Sequence, residues 1–145
     1  MDEIKDVALE SCINTLQQLG VQMKKTKVST LSGEVVQVQI EFIGDVKGYV
    51  IIETTPNFAC KLANIMLSGM TTVTDIDDMC KSVLQELTNM ISGGISTCLD
   101  AKLGFKTDIK PPSIDIRPKA LDSKFANSLQ FVTNDGFINM YIIIK

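Results

Sequence analysis

The chain has 145 residues, 45% apolar and 21% charged, with a formal net charge of −3 and no histidine. That composition describes one globular domain, residues 1–145, able to bury a core without disulfide or metal staples. It argues against nucleic acid as the main partner, because the basic residues are scattered apart from Lys24, Lys25 and Lys27, and without histidine it excludes Ser-His-Asp, Cys-His and histidine-metal chemistry.

Residues 3–19 place Ile4, Val7, Ala8, Cys12, Leu16 and Leu19 at helical spacing, and Gly20 follows as a stop. Glu10 and Asn14 lie four apart on this helix and read as solvent-facing. Residues 22–31 are polar and β-branched and predict a first, exposed strand. Val36, Val38, Ile40 and Phe42 then alternate with Gln37, Gln39 and Glu41, which predicts a strand with one wet face. After a turn at Gly44-Asp45, residues 48–54 return as its hairpin partner.

Thr55-Pro56 opens a second helix, with threonine as cap and proline where its missing N–H does no harm. Phe58, Leu62, Ile65 and Met66 form its buried stripe and Gly69 ends it. A third helix is predicted over residues 75–99, capped by Thr74, with acids at 75, 77 and 78 in its first turn and an apolar face at 76, 79, 80, 83, 84, 87, 90 and 91.

The remainder is β-rich. Residues 105–109 suit a short strand that stops before Pro111-Pro112, Ile114 and Ile116 a brief edge segment, and residues 119–126 a loop. Residues 128–133 and 137–144 read as a hairpin around Asn134-Asp135-Gly136, the second strand apolar enough to be central or covered on both faces. The order predicts an α+β fold: one mostly antiparallel sheet packed by long α-helices.

Candidate chemistry is sparse. No apolar run approaches the ~18–20 residues that span a bilayer, and the acidic start, Met1-Asp2-Glu3, lacks a secretory h-region, so a cytoplasmic protein without membrane insertion is expected. Cys12, Cys60, Cys80 and Cys98 form no Cys-x-x-Cys and read as reduced, buried thiols, with no metal site expected. On the third helix, however, Ser82, Glu86, Asn89 and Gly93 fall within about 60° of one another at ~3.6 residues per turn. A carboxylate and a carboxamide three apart address one point beyond the helix surface. The carboxamide is a poor base and a poor nucleophile, but it orients water by donating and accepting hydrogen bonds. Lys61 and Asn64 repeat the spacing with the opposite charge in first place, and read as a decoy.

The chain resembles the CheC/CheX family of chemotaxis phosphatases. That family shares Asp/Ser-x3-Glu-x2-Asn and a proline after a gap of 22 residues, and here Ser82, Glu86, Asn89 and Pro112 stand in that pattern with residues 90–111 between the last two. The leading helix, the 42–52 hairpin and the terminal strand pair are also similar. A single Glu-x-x-Asn looks like CheX, whereas typical CheC proteins carry two. One departure is Gly93-Gly94, where the family often has Gly-Asn. The glycines either admit a partner backbone or mark a fraying helix end.

The resemblance implies a CheC/CheX-like single domain that dephosphorylates the aspartyl-phosphate of a CheY-type response regulator. Asn89 would position the attacking water, and Glu86 would pair with the regulator's lysine. Ser82, Gly93 and Pro112 would frame the partner-binding surface. No cofactor is expected on this chain, Mg²⁺ being supplied by the regulator, and a homodimer joined through the sheet is implied. The alternative is a non-catalytic adaptor of the same fold that binds a signalling or flagellar-switch partner. A small-molecule-binding domain would need a polar cluster lining an apolar cavity, and the sequence offers none.

Overall fold

The computed structural model describes residues 2–26, 33–119, 127–133 and 136–145. Helix α1 (Asp2–Gln18) is followed by strands β1 (Lys24–Thr26), β2 (Val35–Gly44) and β3 (Gly48–Thr54), helices α2 (Pro56–Leu67) and α3 (Asp78–Leu103), then β4 (Thr107–Ile109), β5 (Ser113–Arg117), β6 (Asn127–Thr133) and β7 (Gly136–Ile144). The seven strands form one antiparallel sheet in the order β1-β6-β7-β3-β2-β4, with β5 paired to β2 further along the same edge as β4. This is the α+β architecture expected from the sequence.

The helices cover one face. Val36, Ile40, Phe42, Val50, Ile52, Phe131, Ile138, Met140 and Ile142 meet Leu16, Phe58, Leu62, Leu84, Leu87, Ile91, Ile95 and Leu99 in one buried cluster. Strand β7 lies between β6 and β3, which accounts for its apolar run. Where β3 passes β7 the backbones are so close that a Cβ on Gly48 would lie 2.1 Å from the Ile143 carbonyl oxygen, so only glycine fits.

The other face departs from expectation. Gln37 was read as facing water, yet it is buried beside the fully buried Glu53. Gln37, Glu53, Asn139 and Gln130 stand opposite one another on β2, β3, β7 and β6 as a single row. Gln37 Nε2 donates to Glu53 Oε2 at 3.0 Å, Gln130 Nε2 to Asn139 Oδ1 at 2.6 Å, and Asn139 Nδ2 to Tyr141 Oη at 3.3 Å. Among the described residues no buried side-chain N or O lacks a partner. Cross-strand amide bonds replace water along this row, so alternating polarity gives no wet face here.

Element ends show where tertiary contacts overrule local signals. The Thr55 hydroxyl accepts from the Phe58 N–H at 3.3 Å to cap α2, as its sequence predicts. Helix α3 starts later than the Thr74 cap implies. Asn64 Nδ2 donates to the Val73 carbonyl at 3.0 Å and its Oδ1 accepts from the Val73 N–H at 2.7 Å. Residues 74–77 stay outside the helix beyond that clamp, and Asp77 caps instead, its Oδ1 accepting from the Cys80 N–H at 2.8 Å.

The helix also outlasts residue 99 and runs through both glycines to Leu103, where Gly104 closes it in the left-handed conformation at φ 73°. Two glycines cost about 1 kcal/mol each relative to alanine. Leu84, Leu87, Ile91, Ile95 and Leu99, none more than 3% exposed, outweigh that at roughly 1.5–3 kcal/mol apiece. Of the predicted first strand only β1 is seen, since residues 27–32 lie outside the described residues, as do most of the predicted 119–126 loop and the turn residues 134–135.

Candidate active site

Helix α3 presents opposite faces to the core and to solvent. Ser82, Glu86, Asn89 and Gly93 are all exposed along one edge, while Leu84, Leu87, Thr88, Ile91 and Ser92 are buried behind them. The two buried hydroxyls bond back into the helix, Thr88 Oγ1 to the Leu84 carbonyl at 2.7 Å and Ser92 Oγ to the Thr88 carbonyl at 2.8 Å. The edge therefore stands on a fully paired base.

Among the described residues neither Glu86 nor Asn89 has a hydrogen-bond or ion-pair partner. The contrast with Asn64 is direct. There the carboxamide spends both ends on Val73 and is a structural clamp. Asn89 keeps its donor and acceptor available, and Glu86 keeps an acceptor-only group one helical turn away. Glu10 and Asn14 on α1 are exposed, and Glu10 makes a loose ion pair with Lys102 at 3.7 Å.

Pro112 is buried, so its ring is not part of the exposed edge. Its carbonyl accepts from Gln85 Nε2 at 3.2 Å, tying the segment between β4 and β5 to α3. Three helical turns on, Ser96 Oγ donates to the Thr107 carbonyl at 3.0 Å and ties β4 to the same helix. Gln85 was not singled out from the sequence, because its partner lies 27 residues away across a strand. Met79 and Met90 were assigned to the buried face, yet they are 52% and 42% exposed beside the polar edge. They fall at the border of the apolar arc, where periodicity alone does not decide the side.

The two glycines separate by environment. A Cβ on Gly93 would meet nothing within 4 Å. One on Gly94 would lie 3.1 Å from Ser11 Oγ and 3.3 Å from Thr15 Oγ1, so Gly94 is where α1 packs closest to α3. Neither marks a fraying end.

Cys12, Cys60 and Cys80 are buried and unoxidised, and burial pushes the Cys12 and Cys80 thiols up to about 12. They are protonated packing residues rather than nucleophiles. Among the described residues no three Cys, Asp or Glu side chains converge to hold a metal, and no helix is long and apolar enough to cross a membrane. Between sheet and helices lies an apolar cavity of about 30 Å³, lined by Leu16, Val36, Ile52, Leu84 and Leu87 among others. That is room for a water-sized body and not for a metabolite.

The profile of the chemotaxis phosphatase CheX matches residues 36–132, which include Ser82, Glu86, Asn89, Gly93 and Pro112. The chain belongs to the CheX family. The fold agrees: it superimposes on CheX from Vibrio vulnificus with a TM-score of 0.80 at 20% identity, covering 99% of each chain. CheX from Desulfovibrio desulfuricans gives 0.77 at 22% identity, again over 99% of each. A third solved structure, the CheX-CheY-BeF3-Mg²⁺ complex of Borrelia burgdorferi, gives 0.71 at 25% identity over 97% of this chain and 96% of that one. A search of curated protein sequences finds no significant match.

Proposed function

We propose that this CheX-family chain dephosphorylates the aspartyl-phosphate of a CheY-type response regulator in chemotaxis signalling. The observation that carries the reading is the pair Glu86 and Asn89, three residues apart and exposed on a buried, rigid helix, with no partner among the described residues. Side chains left free on so well-paired a framework suit groups satisfied by another molecule. Family membership supports the same reading, as does the fold shared with a relative solved together with CheY.

The chemistry asks little of the chain itself. The regulator supplies the phosphoaspartate, with Mg²⁺ beside it. The Asn89 carboxamide enters that site and holds a water by one donated and one accepted hydrogen bond, in line with the phosphorus–oxygen bond to the aspartate. Water oxygen bonds to phosphorus, the bond to the aspartyl oxygen breaks, and inorganic phosphate leaves with the water's protons while the carboxylate is restored. Glu86 pairs with a lysine of the regulator and fixes the pose. No covalent intermediate forms on this chain. A homodimer joined through the sheet belongs to the same proposal, and light scattering at twice the chain mass would support it.

The test is phosphate release from a phosphorylated regulator with Mg²⁺. Asn89→Ala should slow the accelerated reaction by about 100-fold or more, the scale of losing one well-placed polar group, while regulator binding survives. Glu86→Lys should instead weaken the complex. Wild-type activity in Asn89→Ala would overturn the assignment. Tight binding without any turnover by the wild-type chain would identify an adaptor.

A further inference from the structure

We propose that Gln85 is a positioning residue of this site: by holding the Pro112 carbonyl it fixes residues 110–113, where the edge pairing breaks between β4 and β5, as a second wall of the surface on which the regulator docks. This inference rests on the phosphatase reading above.

Taking Ser82 as the origin and ~100° per residue, Gln85 and Ser96 fall at about −60° and −40° on α3, Asn89 at about −20° and Glu86 at about +40°. Both stapling residues therefore lie on one flank, and Asn89 is the member of the functional pair that leans toward it. The staples are eleven residues apart, or about 16 Å along the axis, and Asn89 sits between them. One holds β4 through the Thr107 carbonyl at 3.0 Å, and the other holds the segment before β5 through the Pro112 carbonyl at 3.2 Å.

Between β4 and β5 the pairing with β2 is interrupted. The Lys110 N–H donates to the Glu41 carbonyl at 3.1 Å, and pairing with β2 resumes at Ser113 opposite Gln39. Between these points stand two prolines, which have no N–H to give. Pro112 is turned inward and buried, and Pro111 and Ser113 are exposed on either side of it. The Gln85 amide thus ties these two residues to the helix that carries Asn89. A partner that buries Asn89 must fit against them.

The experiment uses the full chain, a phosphorylated regulator with Mg²⁺, and the variants Gln85→Leu and Gln85→Arg. Leucine keeps size and helix preference but removes the donor, and arginine restores N–H donors at similar reach. Gln85→Leu should raise KM for the regulator about 3- to 10-fold with kcat within twofold, and should speed amide hydrogen exchange at Ser113 and Ile114. Gln85→Arg should return both toward wild type. An active wild-type chain whose Gln85→Leu variant keeps its KM overturns this inference alone, even if exchange at Ser113 rises, since the bond is then merely structural. A fall in kcat without a change in KM overturns it too. A wild-type chain with no phosphatase activity overturns the phosphatase reading, and this inference with it.

Discussion

Adjacent glycines on α3 give a stringent test, because one side chain added at each should act in opposite ways. At Gly93 an alanine methyl meets nothing within 4 Å, and the helix continues on both sides. The change lowers the entropy of the unfolded chain and should stabilise the fold by about 0.5–1 kcal/mol. For a domain of this size that is a rise in Tm of about 1–4 °C. At Gly94 the same gain is opposed by approaches of 3.1 Å to Ser11 Oγ and 3.3 Å to Thr15 Oγ1. Ser11 is buried, and the Thr15 hydroxyl is committed to the Ser11 carbonyl at 3.1 Å, so neither yields freely. Gly94→Ala should gain little or lose, and Gly94→Val should force α1 outward at a cost of about 1–3 kcal/mol. Thermal melts of the three variants measure this. In the phosphatase assay Gly93→Ala should be the informative one: more stable, yet with a higher KM if Gly93 belongs to the docking surface proposed above. A destabilised Gly93→Ala, or a Gly94→Val that melts with wild type, would refute the packing argument. An unchanged KM in Gly93→Ala would remove Gly93 from the docking surface.

Two further outcomes follow from burial and pairing. Asn64→Ala strips the Val73 N–H and carbonyl of their partner and should cost about 2 kcal/mol, whereas Asn89→Ala should leave Tm unchanged, a pair of melts that separates the clamp from the functional amide. The Cys12 thiol is pushed by burial from 9.0 to about 12, so the fold favours the protonated form. Its contribution is complete below pH 9 and lost as pH rises toward 12, about 1.4 kcal/mol by pH 10. The slope of stability against pH between 9 and 11 should therefore be shallower in Cys12→Ala than in wild type.

Much of this was legible in the chain because local and tertiary preferences agree. Residues 48–54 and the cap Thr55-Pro56 read correctly from sequence since β-branched alternation and capping chemistry meet no rival. The polar edge of α3 was legible for the same reason, being a periodicity within one element. What escaped depends on partners far away in the chain. Helix α3 is capped at Asp77, beyond the Asn64 clamp on Val73, and nothing near Thr74 announces it. The burial of Gln37 is decided by Glu53 on the next strand, and a glutamine facing a carboxylate has the same sequence pattern as one facing water. Gln85 was silent because a carboxamide on a half-exposed helical position is ordinary until the carbonyl it holds is known.

The row of Gln37, Glu53, Asn139 and Gln130 has a bearing on how the chain avoids misfolding. A slip of one residue by any of the four strands would turn its polar side chain through the sheet, toward Leu84, Leu87 and their neighbours. An amide stranded there costs several kcal/mol, and each residue left behind loses its partner as well. The strands around it are rich in isoleucine and valine, which pair almost as well in a shifted register as in the right one. The four polar residues supply the discrimination that those apolar neighbours lack. They act as a proofreading line for strand assembly, on the face of the sheet turned away from the helices.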